Sequence, residues 1–154
     1  MYGYNGLTGT ANNLFFNRAG EVLYFVAALC VCYNREAHTQ RFFTAHDDDV
    51  LCLNISSDRL LAVSGQIGAA PAVHVWSTDG LELQASLAHE RGSRGVVAVA
   101  FSPDARFVLS VASDNNHTVH VWDWRRRALL AAVPGFNGTP PQVTAHAAAV
   151  GGSC

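Results

Sequence analysis

Val119-His120-Val121-Trp122-Asp123 repeats Val73-His74-Val75-Trp76-Ser77 at an offset of 46 residues. The same offset carries Leu51-Cys52-Leu53-Asn54-Ile55-Ser56-Ser57-Asp58 onto Val97-Ala98-Val99-Ala100-Phe101-Ser102-Pro103-Asp104. Two matches that keep one spacing mark copies of a single structural unit. A weaker copy lies upstream, where Leu29-Cys30-Val31-Cys32-Tyr33-Asn34 takes the place of the Trp-bearing stretch, 43 positions before Trp76.

Inside the unit the pattern is that of strands. Val97, Val99 and Phe101 alternate with small residues until Ser102-Pro103-Asp104 breaks the run, as a hairpin turn does. Phe107 to Val111 reads as a second strand, Asp114-Asn115-Asn116 as a turn, and Thr118 to Trp122 as a third strand. A fourth is expected near Ala128 to Val133, after Arg125-Arg126-Arg127. No stretch keeps a helical period. Apolar residues on both faces suit sheets sandwiched between neighbouring sheets. A period of ~40–45 residues with four strands per copy resembles that of WD-repeat β-propellers. The expected fold is all-β: a partial, unclosed WD40 propeller of two to three four-stranded antiparallel blades. Residues 1–45 would form the first blade, 46–88 and 89–133 one repeat each, and 134–154 a loop and the start of a further blade. With so few blades the chain is expected to be a piece that does not close alone, since propellers typically hold ~4–8.

The resemblance to WD repeats implies a polar network. His46 lies 30 residues before Trp76 and His89 lies 33 before Trp122, the spacing at which such repeats bridge a loop His to a strand Trp. In a full repeat an Asp six positions before the Trp holds that His. Here those positions carry Ala70 and Asn116, so the network is expected to be incomplete in both blades. His46, Trp76, His89, Trp122 and Asp123 are the structural repeat residues.

The N-terminal stretch narrows the resemblance. Tyr2-Gly3-Tyr4-Asn5-Gly6, Asn12-Asn13-Leu14, Gly20-Glu21-Val22-Leu23-Tyr24-Phe25-Val26-Ala27 and Val31-Cys32-Tyr33-Asn34 resemble the hydrophobic (HELP) motif of echinoderm microtubule-associated protein-like proteins. Ala45-His46-Asp47-Asp48-Asp49-Val50, Ser64-Gly65-Gln66-Ile67-Gly68 and Val119 to Trp124 continue that resemblance to about residue 133. It implies a microtubule-associated protein of the cytoplasm and cytoskeleton that binds tubulin through its propeller. It also implies that Leu14, Phe15, Leu23, Tyr24, Phe25 and Val26 pack into the first blade and seal a joint between propellers. The repeats alone would equally describe a WD-repeat adaptor in another cytosolic complex. No heptad pattern stands where many members of that family carry a coiled coil.

Composition excludes other classes. Ten Lys+Arg against 12 Asp+Glu give a net charge of −2, without the basic footprint of phosphate neutralisation, so nucleic acid is not an expected partner. The longest apolar stretch, Val22 to Val31, is about half of the ~20 residues a membrane-spanning helix needs, so no membrane association is expected. No glycine-rich phosphate loop, nucleophile elbow or motif-placed carboxylate pair occurs, so no enzymatic activity and no cofactor are expected. His117 and His120 with Asp114 and Asp123 could be assembled into a metal site, but the repetition of His120 at His74 favours ordinary blade residues. Cys30 and Cys32 share a strand face without the second pair a zinc site supplies, and read as packing thiols. Asp47-Asp48-Asp49 reads as a solvated loop. Asn54-Ile55-Ser56, Asn116-His117-Thr118 and Asn137-Gly138-Thr139 fit the glycosylation pattern, which carries no meaning in a cytosolic protein. Arg125-Arg126-Arg127 is a basic turn that could touch the acidic surface of tubulin.

Overall fold

A computed structural model describes residues 14–89 and 92–135. It contains three four-stranded antiparallel sheets and, among the described residues, no helix. The first sheet holds β1 (Phe15–Phe16), β2 (Val22–Val26), β3 (Leu29–Asn34) and β4 (Thr39–Phe43). The second holds β5 (Val50–Ile55), β6 (Leu61–Gln66), β7 (Ala72–Ser77) and β8 (Leu83–Ala88). The third holds β9 (Val96–Phe101), β10 (Phe107–Ala112), β11 (Val119–Asp123) and β12 (Ala128–Val133). Each sheet is a meander in chain order. Trp76 pairs with Ala62 on β6, and Trp122 pairs with Val108 on β10, so the two tryptophans hold equivalent places.

The turns explain the regularity. Ser56 Oγ donates to Asp58 Oδ1 at 2.6 Å, and the backbone N–H groups of Leu60 and Leu61 donate to Asp58 Oδ1 and Ser56 Oγ at 3.0 Å each. In the next sheet Ser102, Asp104, Arg106 and Phe107 repeat these three bonds at 2.6, 3.0 and 3.0 Å. The short polar side chains satisfy the turn's backbone donors, which is why Ser-x-Asp follows the first strand of the second and third sheets.

The sheets pack face to face. Leu23, Phe25, Cys30, Cys32 and Phe43 of the first sheet meet Val50, Leu53, Ala62 and Trp76 of the second. The opposite face of the second sheet, with Val63, Val73, Val75, Ala85 and Leu87, meets Val96, Phe101, Val108, Trp122 and Trp124 of the third. The approach at Gly65 is close: a Cβ there would lie 2.7 Å from Val96 Cγ1 and 2.8 Å from Cys52 Sγ. The second sheet is thus buried on both faces, as the sequence pattern implies. The arrangement is that of a partial, unclosed propeller.

The N-terminal apolar residues differ in exposure. Leu14 is 50% exposed, whereas Leu23 and Phe25 are 1% and 2% exposed. Leu14 precedes β1, a strand of only two residues, and so lies beyond the part of the sheet that the neighbour covers. Phe15 packs partly against the core and Tyr24 is buried. Tyr2 to Asn13, and residues 136–154 of the loop and further blade expected over 134–154, lie outside the described residues.

Candidate functional site

The repeat network converges on two serines. Ser64 on β6 faces His74 on β7, and its Oγ lies 2.6 Å from His46 Nε2 and 3.0 Å from Trp76 Nε1. Ser110 on β10 faces His120 on β11, with its Oγ 2.9 Å from both His89 Nε2 and Trp122 Nε1. Each loop histidine therefore reaches its tryptophan through a buried hydroxyl. The offset that relates the tryptophans also relates Ser64 to Ser110, and this was the signal that could have found them.

The expected gap in the network is filled in one repeat only. His46 Nδ1 lies 2.7 Å from Gln66 Oε1, and Gln66 Nε2 donates to Asp47 Oδ1. A carboxylate only accepts, so the amide nitrogen must face Asp47 and the amide oxygen must face the imidazole. His46 then carries its proton on Nδ1, and its bare Nε2 accepts from the Ser64 hydroxyl, which in turn accepts from Trp76. Gln66 supplies what Ala70 cannot, because β6 brings it beside the loop from the strand side. In the other repeat His89 Nδ1 is buried and has no hydrogen-bond partner among the described residues. The network is incomplete in one blade, not in both.

Stacked rings enclose these bonds. Phe43 stacks on Trp76 at 4.6 Å, and the His46 and His74 rings lie 4.4 Å apart, as do those of His89 and His120. Burial holds His46 and His89 at a pKa of about 4. Both are neutral struts at neutral pH. Ser64 with His46 has the outline of a nucleophile and base, but Ser64 and Ser110 are fully buried and their oxygens are engaged by indole N–H groups. No substrate atom could reach them.

The other candidates are equally structural. Asp114 accepts from Asn116 N, Thr118 N and Thr118 Oγ1, capping the turn before β11. Asp123 ends β11 and stands over the following turn. The two carboxylates lie at opposite ends of one strand. Among the described residues no group of three or more His, Cys, Asp or Glu is placed to hold a metal. Cys30 and Cys32 are buried, and burial pushes both thiols up to about 12. Cys32 also donates to Glu21 Oε2 at 3.0 Å, a bond that Asn17 and Arg41 share. Burial works to raise the Glu21 pKa, and the hydrogen bonds from Cys32, Asn17 and Arg41 outweigh it and hold it low.

The basic turn is the exposed counterpart. Arg125, Arg126 and Arg127 all lie open between β11 and β12. Arg125 lies over the Trp124 ring at 4.6 Å, and Arg126 Nε is 3.8 Å from Asp123 Oδ2. Trp124 Nε1 donates to Ala105 O at 2.7 Å, which ties this turn to the one carrying Arg106. Trp124 and Arg106 were not singled out by the sequence, because their partners are set by tertiary contact.

The WD domain, G-beta repeat family matches residues 37–77 and 81–123. The chain belongs to this family. Each matched stretch begins near the outer strand of one sheet and runs through three strands of the next, so the sequence repeat staples neighbouring sheets together. Among curated proteins the WD-repeat chain is similar to echinoderm microtubule-associated protein-like 1 of Rattus norvegicus, 34% identical over 147 residues, covering 89% of this chain and 18% of the relative. It is also similar to echinoderm microtubule-associated protein-like 4 of Xenopus laevis, 32% identical over 156 residues and covering 95% of this chain and 17% of the relative. Echinoderm microtubule-associated protein-like 2 of Rattus norvegicus is 33% identical over 138 residues, covering 83% and 21%. The family resemblance read from the residues is borne out. The WD-repeat chain spans about a fifth of the length of these relatives.

Proposed function

We propose that the chain is a propeller segment of a microtubule-associated WD-repeat protein, acting in the cytoplasm on the cytoskeleton and binding tubulin through its blades. The observation that carries this reading is the similarity to echinoderm microtubule-associated protein-like proteins over 83–95% of the chain. The WD-repeat family is one of non-enzymatic scaffolds, and the buried serine networks support the same view. In this reading residues 1–45 carry the hydrophobic (HELP) motif and first blade, 46–88 and 89–133 a repeat each, and 134–154 the opening of a further blade. His46, Trp76, His89, Trp122 and Asp123 hold the blades, and Arg125, Arg126 and Arg127 contact tubulin. The competing reading is a WD-repeat adaptor of another complex, favoured by the repeats taken alone. Co-sedimentation with polymerised tubulin separates the two. The chain is expected in the pellet, and its retention in the supernatant while folded would favour the adaptor.

A further inference from the structure

The three sheets build the same turn before their last strand and place different charges on it. The turns read Glu36-Ala37-His38, Asp79-Gly80-Leu81 and Arg125-Arg126-Arg127. Their third residues share one left-handed backbone conformation, with φ of 54° at His38, 54° at Leu81 and 53° at Arg127. The support beneath is also repeated: Thr78 Oγ1 donates to Arg59 O at 2.8 Å where Trp124 Nε1 donates to Ala105 O at 2.7 Å. Folding such a turn therefore does not require arginine. The first position is an acid in two sheets and Arg125 in the third. Leu60, in the preceding turn of the second sheet, is likewise replaced by Arg106 in the third.

These arginines are also held. The Arg125 guanidinium lies over Trp124 and that of Arg106 over Phe107, at 4.6 and 5.2 Å from the ring centroids. Stacking restricts long side chains that otherwise lose entropy on binding, so the charges are partly ordered before any partner arrives. Asp104 and Asp123 stand among them, each bonded within its own turn. Interspersed carboxylates break the continuous positive track that a phosphate backbone needs, whereas separate side-chain carboxylates can address separate guanidiniums.

We infer that Arg106, Arg125, Arg126 and Arg127, clamped together by Trp124 at one end of the third sheet, form a docking patch for a carboxylate-rich segment of a partner polypeptide. The inference rests on the tubulin-binding reading for the natural source of that segment. The test is direct binding of a labelled ten-residue glutamate peptide, with a glutamine peptide and a ten-nucleotide DNA strand as comparisons. The full chain is used at a concentration where light scattering shows one species. Two variants are compared. R125D/R126G/R127L installs the second sheet's own turn, which the fold already builds. R35D/R94D makes the same change in net charge at two other exposed arginines. The expected result is that the triple variant binds the glutamate peptide about tenfold more weakly or worse, and that R35D/R94D loses much less. Equal losses in both variants, an unchanged triple variant, or tighter binding of the DNA strand would overturn the inference. Failure to pellet with microtubules while the peptide still binds the patch would instead overturn only the tubulin reading.

Discussion

His46 and His89 are the residues whose chemistry is most altered by the fold. Each is buried, with His74 or His120 against its ring, and each titrates near pH 4 when an unfolded histidine titrates near 6.5. The unfolded chain therefore binds more protons between those values. By linkage, these histidines contribute stability that is fully present above about pH 6.5 and is lost as pH falls toward about 4. The loss can reach about 3 kcal/mol for each histidine. Urea midpoints measured from pH 7 to pH 4.5 should fall steadily, and a flat profile across that window would refute the buried neutral imidazoles. The carboxylates of Asp58 and Asp104, held low by bonds from Ser56 and Ser102, act only below their ordinary value of 3.8, so the windows are separable. The internal repeat identified the tryptophans and the resemblance to WD repeats the histidines, because a repeat fixes distances along the chain. It did not identify Gln66, whose role depends on the cross-strand geometry that sets it beside His46 across 20 residues of chain.

At the level of the strand, apolar runs and the turns between them were enough to locate the four strands of the third sheet, and Ala128–Val133 was legible as the last of them although almost all of it is exposed. Alternation gives the period, but it does not say which residue a neighbouring sheet will cover. That is why Leu14 and Phe25, read alike as packing residues, part company: one is 50% exposed and the other 2%. Phe25 on β2 lies in the cluster with Cys30, Phe43, Leu53 and Trp76 that joins the first sheet to the second. Phe25→Ala should cost about 3–5 kcal/mol through lost burial and the cavity left behind. Leu14→Ala should change stability by less than about 0.5 kcal/mol. Thermal melts of the two variants decide the matter, and comparable losses in both would mean that the stretch before β1 is also part of the core.

In the molecule as a whole, the sheets stack in a row, and the two end sheets carry exposed apolar residues. Phe16 and Phe42 are 50% and 39% exposed in the first sheet, and Leu129, Leu130 and Val133 are 39%, 54% and 53% exposed on β12. The register sets Phe42 beside Val31 and Val133 beside Val119, on the faces opposite those that meet the second sheet. The interface between the second and third sheets joins a face rich in small or β-branched residues to one bearing large aromatics, where Val63, Val75 and Ala85 meet Phe101 and Trp122. The outer face of the first sheet offers Tyr33 and Phe42, while that of the third offers Ala98, Leu109, Val119 and Val121. The ends are therefore complementary in the way that the second sheet is to the third, and among the described residues β12 pairs on one side only and carries no charged residue. The 154-residue chain is expected to self-associate head to tail at micromolar concentrations. Because such a contact is heterologous, mass should grow with concentration unless the ring closes. F42K/V133K places a charge on each outer face, and should shift light scattering toward the single-chain mass without changing the far-ultraviolet β-sheet spectrum. Unchanged association in that variant would locate the contact elsewhere, and a monomer in the parent chain would show that these faces are adequately covered within one copy.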